Sequence, residues 1–169
     1  ERVVVSQSDF PDQKGPGRFA AAVFSPDGSK LAYNRNFDIW ISPSNGGAPA
    51  QLTSEQGGEF GAEWSPDGAW IAFNYARPSF GGLVKLRIGA GESEVRLRKG
   101  PCGQVAPAWS PDGVWIACGR QPMGLDLVPA NGGEPRFLGM QYEPVAAWSR
   151  DSKRLYVIRT SEGRRELGE

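Results

Sequence analysis

A five-residue turn signature recurs along this chain and restricts its possible folds more than any other feature. Phe24-Ser25-Pro26-Asp27-Gly28, Trp64-Ser65-Pro66-Asp67-Gly68 and Trp109-Ser110-Pro111-Asp112-Gly113 are followed by a worn copy, Trp148-Ser149-Arg150-Asp151-Ser152. The copies follow one another at intervals of 40, 45 and 39 residues. Proline in the second turn position pre-sets φ, aspartate in the third bonds its own local backbone, and glycine in the fourth accepts positive φ. Apolar runs flank each signature, as in residues 105–109 and 114–118. Each signature therefore predicts a short hairpin between two antiparallel strands. Repetition of one such unit every 40 to 45 residues predicts propeller blades.

The fold class read from this pattern is all-β: a β-propeller of about four four-stranded antiparallel blades in one domain over residues 1–169. The blades span roughly 19–53, 60–98, 105–138 and 144–169. The last has no fourth strand of its own. Residues 1–7 resemble the fourth strands of blades one and three, so the chain either closes by pairing its two ends or forms a segment of a larger propeller. Closure is one way in which sheet edges are protected. No stretch shows a sustained helical period.

Composition narrows the function classes. Nineteen acidic and nineteen basic residues cancel, and no basic tract stands out, which gives no expectation of nucleic-acid binding. No apolar run approaches a membrane span, and no signal peptide is legible at the start. The chain contains no histidine, so Ser-His-Asp and Cys-His chemistry and His-ligated metal cannot come from its own residues. No metal, cofactor or catalytic residue is expected. Of the two cysteines, Cys118 occupies the place of Tyr33 and Phe73 and is expected in the core. Cys102 falls about 10 Å away along the strand, too far for an unstrained bridge, so two thiols are expected.

The repeats resemble the TolB-like family of β-propellers, a WD-type pattern of Trp-Ser-Pro-Asp-Gly units. Residues 62–73 and 108–118 carry the likeness best, 23–33 well and 147–157 loosely. The resemblance implies the repeat fold over nearly everything after residue 18. Such repeats serve the periplasmic TolB protein, the propellers of prolyl-oligopeptidase-like peptidases and bacterial sensor regions, so fold alone does not decide function.

Candidate functional residues are departures from the repeat. Asp27, Asp67, Asp112 and Asp151 are read as structural turn formers rather than a ring of ligands. Glu63 occupies a slot held by Val23, Ala108 and Ala147, and either lines an axial channel or is an ordinary surface charge. Glu59, Gln104 and Glu143 begin equivalent first strands and, with Arg18, form a channel mouth or a solvated loop. Trp70 and Trp115 are expected to pack between blades two and three. Trp40 aligns with Lys85 and Asp126, which predicts a wet side and a contact anchor. Residues 76–82, with Arg77 and Phe80, form the expected partner-facing loop.

Two functions follow as expectations. One is a non-catalytic scaffold, periplasmic or otherwise extracytoplasmic, that binds a protein or peptide partner through a blade face or channel mouth. The other is the gating propeller of a prolyl-oligopeptidase-like peptidase whose hydrolase domain lies elsewhere, since no Gly-x-Ser-x-Gly elbow occurs here. A sugar- or carboxylate-processing propeller enzyme fits less well without histidine. Self-association is expected if the propeller is open.

Overall fold

The turn signatures join strands as the sequence requires. In the computed structural model, which describes residues 19–54, 57–76, 81–89, 93–100, 106–120, 124–140, 142–161 and 164–168, every regular element is a strand. The first sheet is an antiparallel meander of β1 (Phe19–Phe24), β2 (Lys30–Arg35), β3 (Asp38–Pro43) and β4 (Ala50–Gln51). The second contains β5 (Gly58–Trp64), β6 (Trp70–Ala76), β7 (Gly81–Arg87) and β8 (Glu94–Lys99). The third contains β9 (Ala108–Trp109), β10 (Trp115–Gly119), β11 (Leu125–Pro129) and β12 (Arg136–Gly139). The fourth shows three strands among the described residues: β13 (Tyr142–Trp148), β14 (Leu155–Ser161) and β15 (Arg164–Gly168). The expected pairing of residues 1–7 lies outside the described residues, as does Cys102.

The sheets stack in chain order. All strand pairs in substantial contact belong to one sheet or to consecutive sheets. Side chains alternate between the two faces of a strand, and this alternation builds an apolar layer at each junction. Ala32 and Ile39 of the first sheet meet Trp64, Ile71, Phe73 and Val84 of the second. Ala72, Leu83 and Leu97 of the second meet Trp109, Ile116, Cys118 and Val128 of the third. Ala117 and Leu125 of the third meet Val157 of the fourth. Burying one such aliphatic side chain contributes about 1.5–3 kcal/mol. Cys118 is a buried thiol, as its register with Tyr33 and Phe73 predicts.

Polar links cross the first junction where the strands run closest. Asn34 donates through Nδ2 to the Glu59 carbonyl at 2.8 Å, and its Oδ1 accepts from the Gly61 amide at 3.1 Å. Gly61 itself cannot be substituted freely. Its φ is +67°, and a Cβ there would lie 2.3 Å from the Ala106 Cα.

Register corrects one sequence expectation. Trp40 lies opposite Tyr33 and Asp126 opposite Cys118, but the second sheet places Val84, not Lys85, opposite Phe73. The long connection in that sheet is taken up by strand pairing that extends to Ala76 and Gly81, and the alignment slips by one residue. A one-residue slip moves a side chain to the other face. The predicted wet side is also absent, on either face: Trp40 is 9% exposed, Lys85 7% and Asp126 0%. Trp40 lies beside Leu31 and Tyr33, with the Arg35 guanidinium 5.7 Å from its ring centroid. A buried Trp40 cannot be the exposed contact anchor that alignment suggested.

Candidate functional site

Each turn is built by the same local bonds. In the third, the Gly113 amide donates to the Ser110 carbonyl at 2.8 Å, closing the turn. The Ser110 hydroxyl donates to Asp112 Oδ1 and accepts from the Trp115 amide at 2.9 Å. Asp112 Oδ1 also accepts from the Val114 amide at 3.0 Å. Ser25–Asp27, Ser65–Asp67 and Ser149–Asp151 repeat the arrangement. These hydrogen bonds, the serine hydroxyl first, hold all four carboxyls below their ordinary range, Asp27 at about 2. The serines, present in every copy, are as much a part of the turn as the aspartates. Sequence reading gave them no weight.

Neighbouring turns are also linked, but unequally. A Cβ at Gly68 would sit 3.7 Å from the Pro26 Cδ, so the first two turns lie side by side. The Asp112 amide donates to the Ser152 Oγ at 2.9 Å, so the third and fourth are bonded. A Cβ at Gly113 would meet nothing within 4 Å. The tryptophans before the turns show the same inequality. Trp64 Nε1 donates to the Val23 carbonyl at 3.3 Å, and Trp148 Nε1 to the Ala108 carbonyl at 3.1 Å. Trp109 Nε1 is buried and has no hydrogen-bond partner among the described residues. Among the described residues, neither of these two links is made at the junction of the second and third sheets.

A cleft of about 500 Å³ opens there. Pro66 and Asp67 of one turn and Pro111, Asp112 and Gly113 of the next form its sides. Trp70, Lys85, Trp109, Ala130 and Asn131 complete the lining. Trp70 packs against the second junction's apolar layer, as expected. Trp115 does not share that junction: strand alternation puts it on the face of Ala117, toward the fourth sheet. The Lys85 ammonium lies 4.2 Å from the Trp70 ring centroid, a cation–π contact, with the Arg87 guanidinium at 6.0 Å. Burial lowers the Lys85 pKa, and the Asp67 charge partly counters that. Register equivalents of Lys85 are Ile41 and Leu127. A lysine at an apolar position is the signal that would have revealed this site, had the alignment been in register.

Of the expected channel residues, the structure describes the side chains of Glu59 and Glu63. Glu59 is 2% exposed rather than at an open or solvated mouth, and Thr53 Oγ1 donates to its Oε2 at 3.3 Å. Its amide bonds the Phe37 carbonyl across the first junction, which draws it inward. Glu63 is half-buried. Ala62 and Trp64 face the first sheet, so alternation turns Glu63 toward the third, and burial raises its carboxyl to about 7. Glu143 lies on β13. Arg18, Gln104, Arg77 and Phe80 lie outside the described residues. Among the described residues, no group of three or more metal-ligating side chains gathers. Nor is any helix among them long and apolar enough to cross a membrane.

Comparison with known proteins agrees with this architecture. Residues 5–79 match the family described as the dipeptidyl peptidase IV N-terminal region. An uncharacterized protein of Agrobacterium fabrum is 33% identical over 69 residues, covering 38% of this chain and 24% of that protein. TolB from Acinetobacter baumannii superposes with a TM-score of 0.69 at 21% identity, covering 87% of this chain and 39% of TolB. A puromycin-hydrolyzing peptidase of Mycobacterium tuberculosis gives 0.67 at 17% identity, covering 90% and 30%. The chain thus spans well under half the length of each of these proteins. The structural likenesses establish the β-propeller fold.

Proposed function

We propose that this chain is a non-catalytic β-propeller module that binds a protein or peptide partner at its turn end, between the second and third sheets. The observation that carries this reading is the local loss of repeat-to-repeat links. The first and third junctions are bonded turn to turn or tryptophan to carbonyl. The second makes neither link at its turn end, where a cleft lined by Trp70, Trp109 and Lys85 opens, and is held elsewhere by the Arg98–Asp126 ion pair. Such a cleft combines aromatic surface with a few placed polar groups, the usual make-up of a recognition site. Likeness to TolB supports a scaffold role and an extracytoplasmic location. A peptide library displayed on phage and selected against the chain tests the reading. Enriched peptides should perturb the Trp70 and Trp109 indole resonances. Absence of enrichment, or enrichment at a different surface, would count against it.

A second reading is favoured by the match of residues 5–79 and by the peptidase likeness. The chain would then be part of a propeller that gates a hydrolase domain encoded elsewhere in the same gene. The complete reading frame decides this: a downstream domain with a Gly-x-Ser-x-Gly elbow would establish it.

A further inference from the structure

We infer that the cleft between the second and third turns receives a carboxylate side chain of a peptide, with Lys85 as its counter-ion. This rests on the scaffold reading and specifies the occupant of its site. Lys85 is 7% exposed, yet its ammonium makes no hydrogen bond or ion pair among the described residues. The Trp70 ring centroid lies 4.2 Å from it. An ammonium carries three donors; the Lys85 stem is buried while its head borders the open cleft, where an anion can take the place of water as its partner. Asp67 influences Lys85 electrostatically but is not within ion-pair distance, and its Oδ1 is committed to Ser65 and Ala69. An incoming carboxylate would satisfy the ammonium directly.

The rest of the lining selects the remainder of the occupant. Asp67 and Asp112 each commit Oδ1 to their own turn, and the second oxygen of each has no partner among the described residues. Those oxygens accept N–H donors, and their charge opposes any anion, a multiply charged one most, so the single carboxylate must sit on Lys85 with N–H groups turned to the aspartates. A peptide supplies backbone N–H groups beside a single carboxylate, which matches both requirements. Trp70, Trp109, Pro66 and Pro111 cover the methylenes of such a side chain. A volume of about 500 Å³ accommodates one side chain and the adjoining peptide units.

The test uses N-acetyl-L-glutamic acid N-methylamide and its glutamine counterpart, titrated into the ¹⁵N-labelled full chain. The glutamate compound should shift the Trp70 and Trp109 indole N–H resonances saturably and leave those of Trp64 and Trp148 in place. The glutamine compound should bind at least ten-fold more weakly. K85Q should abolish that preference, and K85R should retain it. Equal binding of the two compounds, no shift with the glutamate compound, or a preference that survives K85Q would overturn the inference. Acetate binding as tightly as the glutamate compound would overturn its peptide part. Library peptides that bind the cleft independently of Lys85 would sink the carboxylate assignment and leave the scaffold reading standing.

Discussion

The backbone amide of Asp112 donates to the hydroxyl of Ser152 at 2.9 Å, across forty residues of sequence. The fourth signature, degraded in sequence, has a serine where the other three have glycine. Ser152 still adopts φ +60°, close to the +69°, +69° and +74° of Gly28, Gly68 and Gly113. Its side chain converts a tolerated departure into a link between turns.

Ser152→Ala keeps the positive φ and removes the bond, and should destabilise by about 1 kcal/mol. Ser152→Gly removes the bond but relieves the backbone, so its loss should be smaller. Amide hydrogen exchange at Asp112 should accelerate in both variants. Unchanged exchange would show that the bond does not form in solution.

Within the third turn, the structure ranks three substitutions. Ser110→Ala leaves the Trp115 amide without its acceptor at a fully buried site, a loss of roughly 1–3 kcal/mol. At Gly113→Val the Cβ meets no atom within 4 Å but the backbone sits at φ +74°, a strain of roughly 1–2 kcal/mol. Asp112→Asn retains the Oδ1 acceptor and should lose less than about 1 kcal/mol. Urea midpoints give the order directly. Asp112→Asn as the worst of the three would contradict the turn assignment.

Glu63 predicts a pH dependence. Its carboxyl is raised from 4.5 to about 7 by burial. The folded state therefore holds more protons than the unfolded chain between those values, so this group's contribution to stability falls as pH rises from 4.5 to 7. Above that window the loss is roughly 1–3 kcal/mol, the lower end allowing for solvent at the half-buried side chain. Glu63→Gln should be more stable than the parent at pH 8 and nearly equal to it at pH 4. Parallel stability curves for the two proteins would refute the assignment.

Arg98 and Asp126 form an ion pair at 2.6 Å across the second junction, with side chains 5% and 1% exposed. Arg120 reaches the same carboxylate oxygen at 3.2 Å and lies 4.7 Å from the Phe137 ring centroid. Asp126→Ala strands a buried guanidinium and should cost about 3–5 kcal/mol. The double change of Arg98 and Asp126 to leucine should recover most of that loss. A double variant as unstable as Asp126→Ala would show that packing, not uncompensated charge, sets the cost.

Much of the architecture was legible because it is local. The Ser-Pro-Asp-Gly turn is determined by five adjacent residues, and apolar alternation on either side specifies two strands. Repetition at a near-constant interval then specifies a series of similar sheets. Even the core position of Cys118 could be read from its place in the repeat.

The cleft was not legible, because it depends on how repeats differ in space. Sequence aligns Lys85 with Trp40 and Asp126, and one residue of slip in the longer connection moves it to the opposite face. The missing Trp109 bond and the gap beside Gly113 leave no trace in residue identity, since Trp109 and Gly113 match the pattern fully. Local chemistry determined the turns and strands of this chain. Tertiary packing decided which junction stays open and which charges are buried there, because register and inter-sheet distance are set by contacts tens of residues apart in sequence.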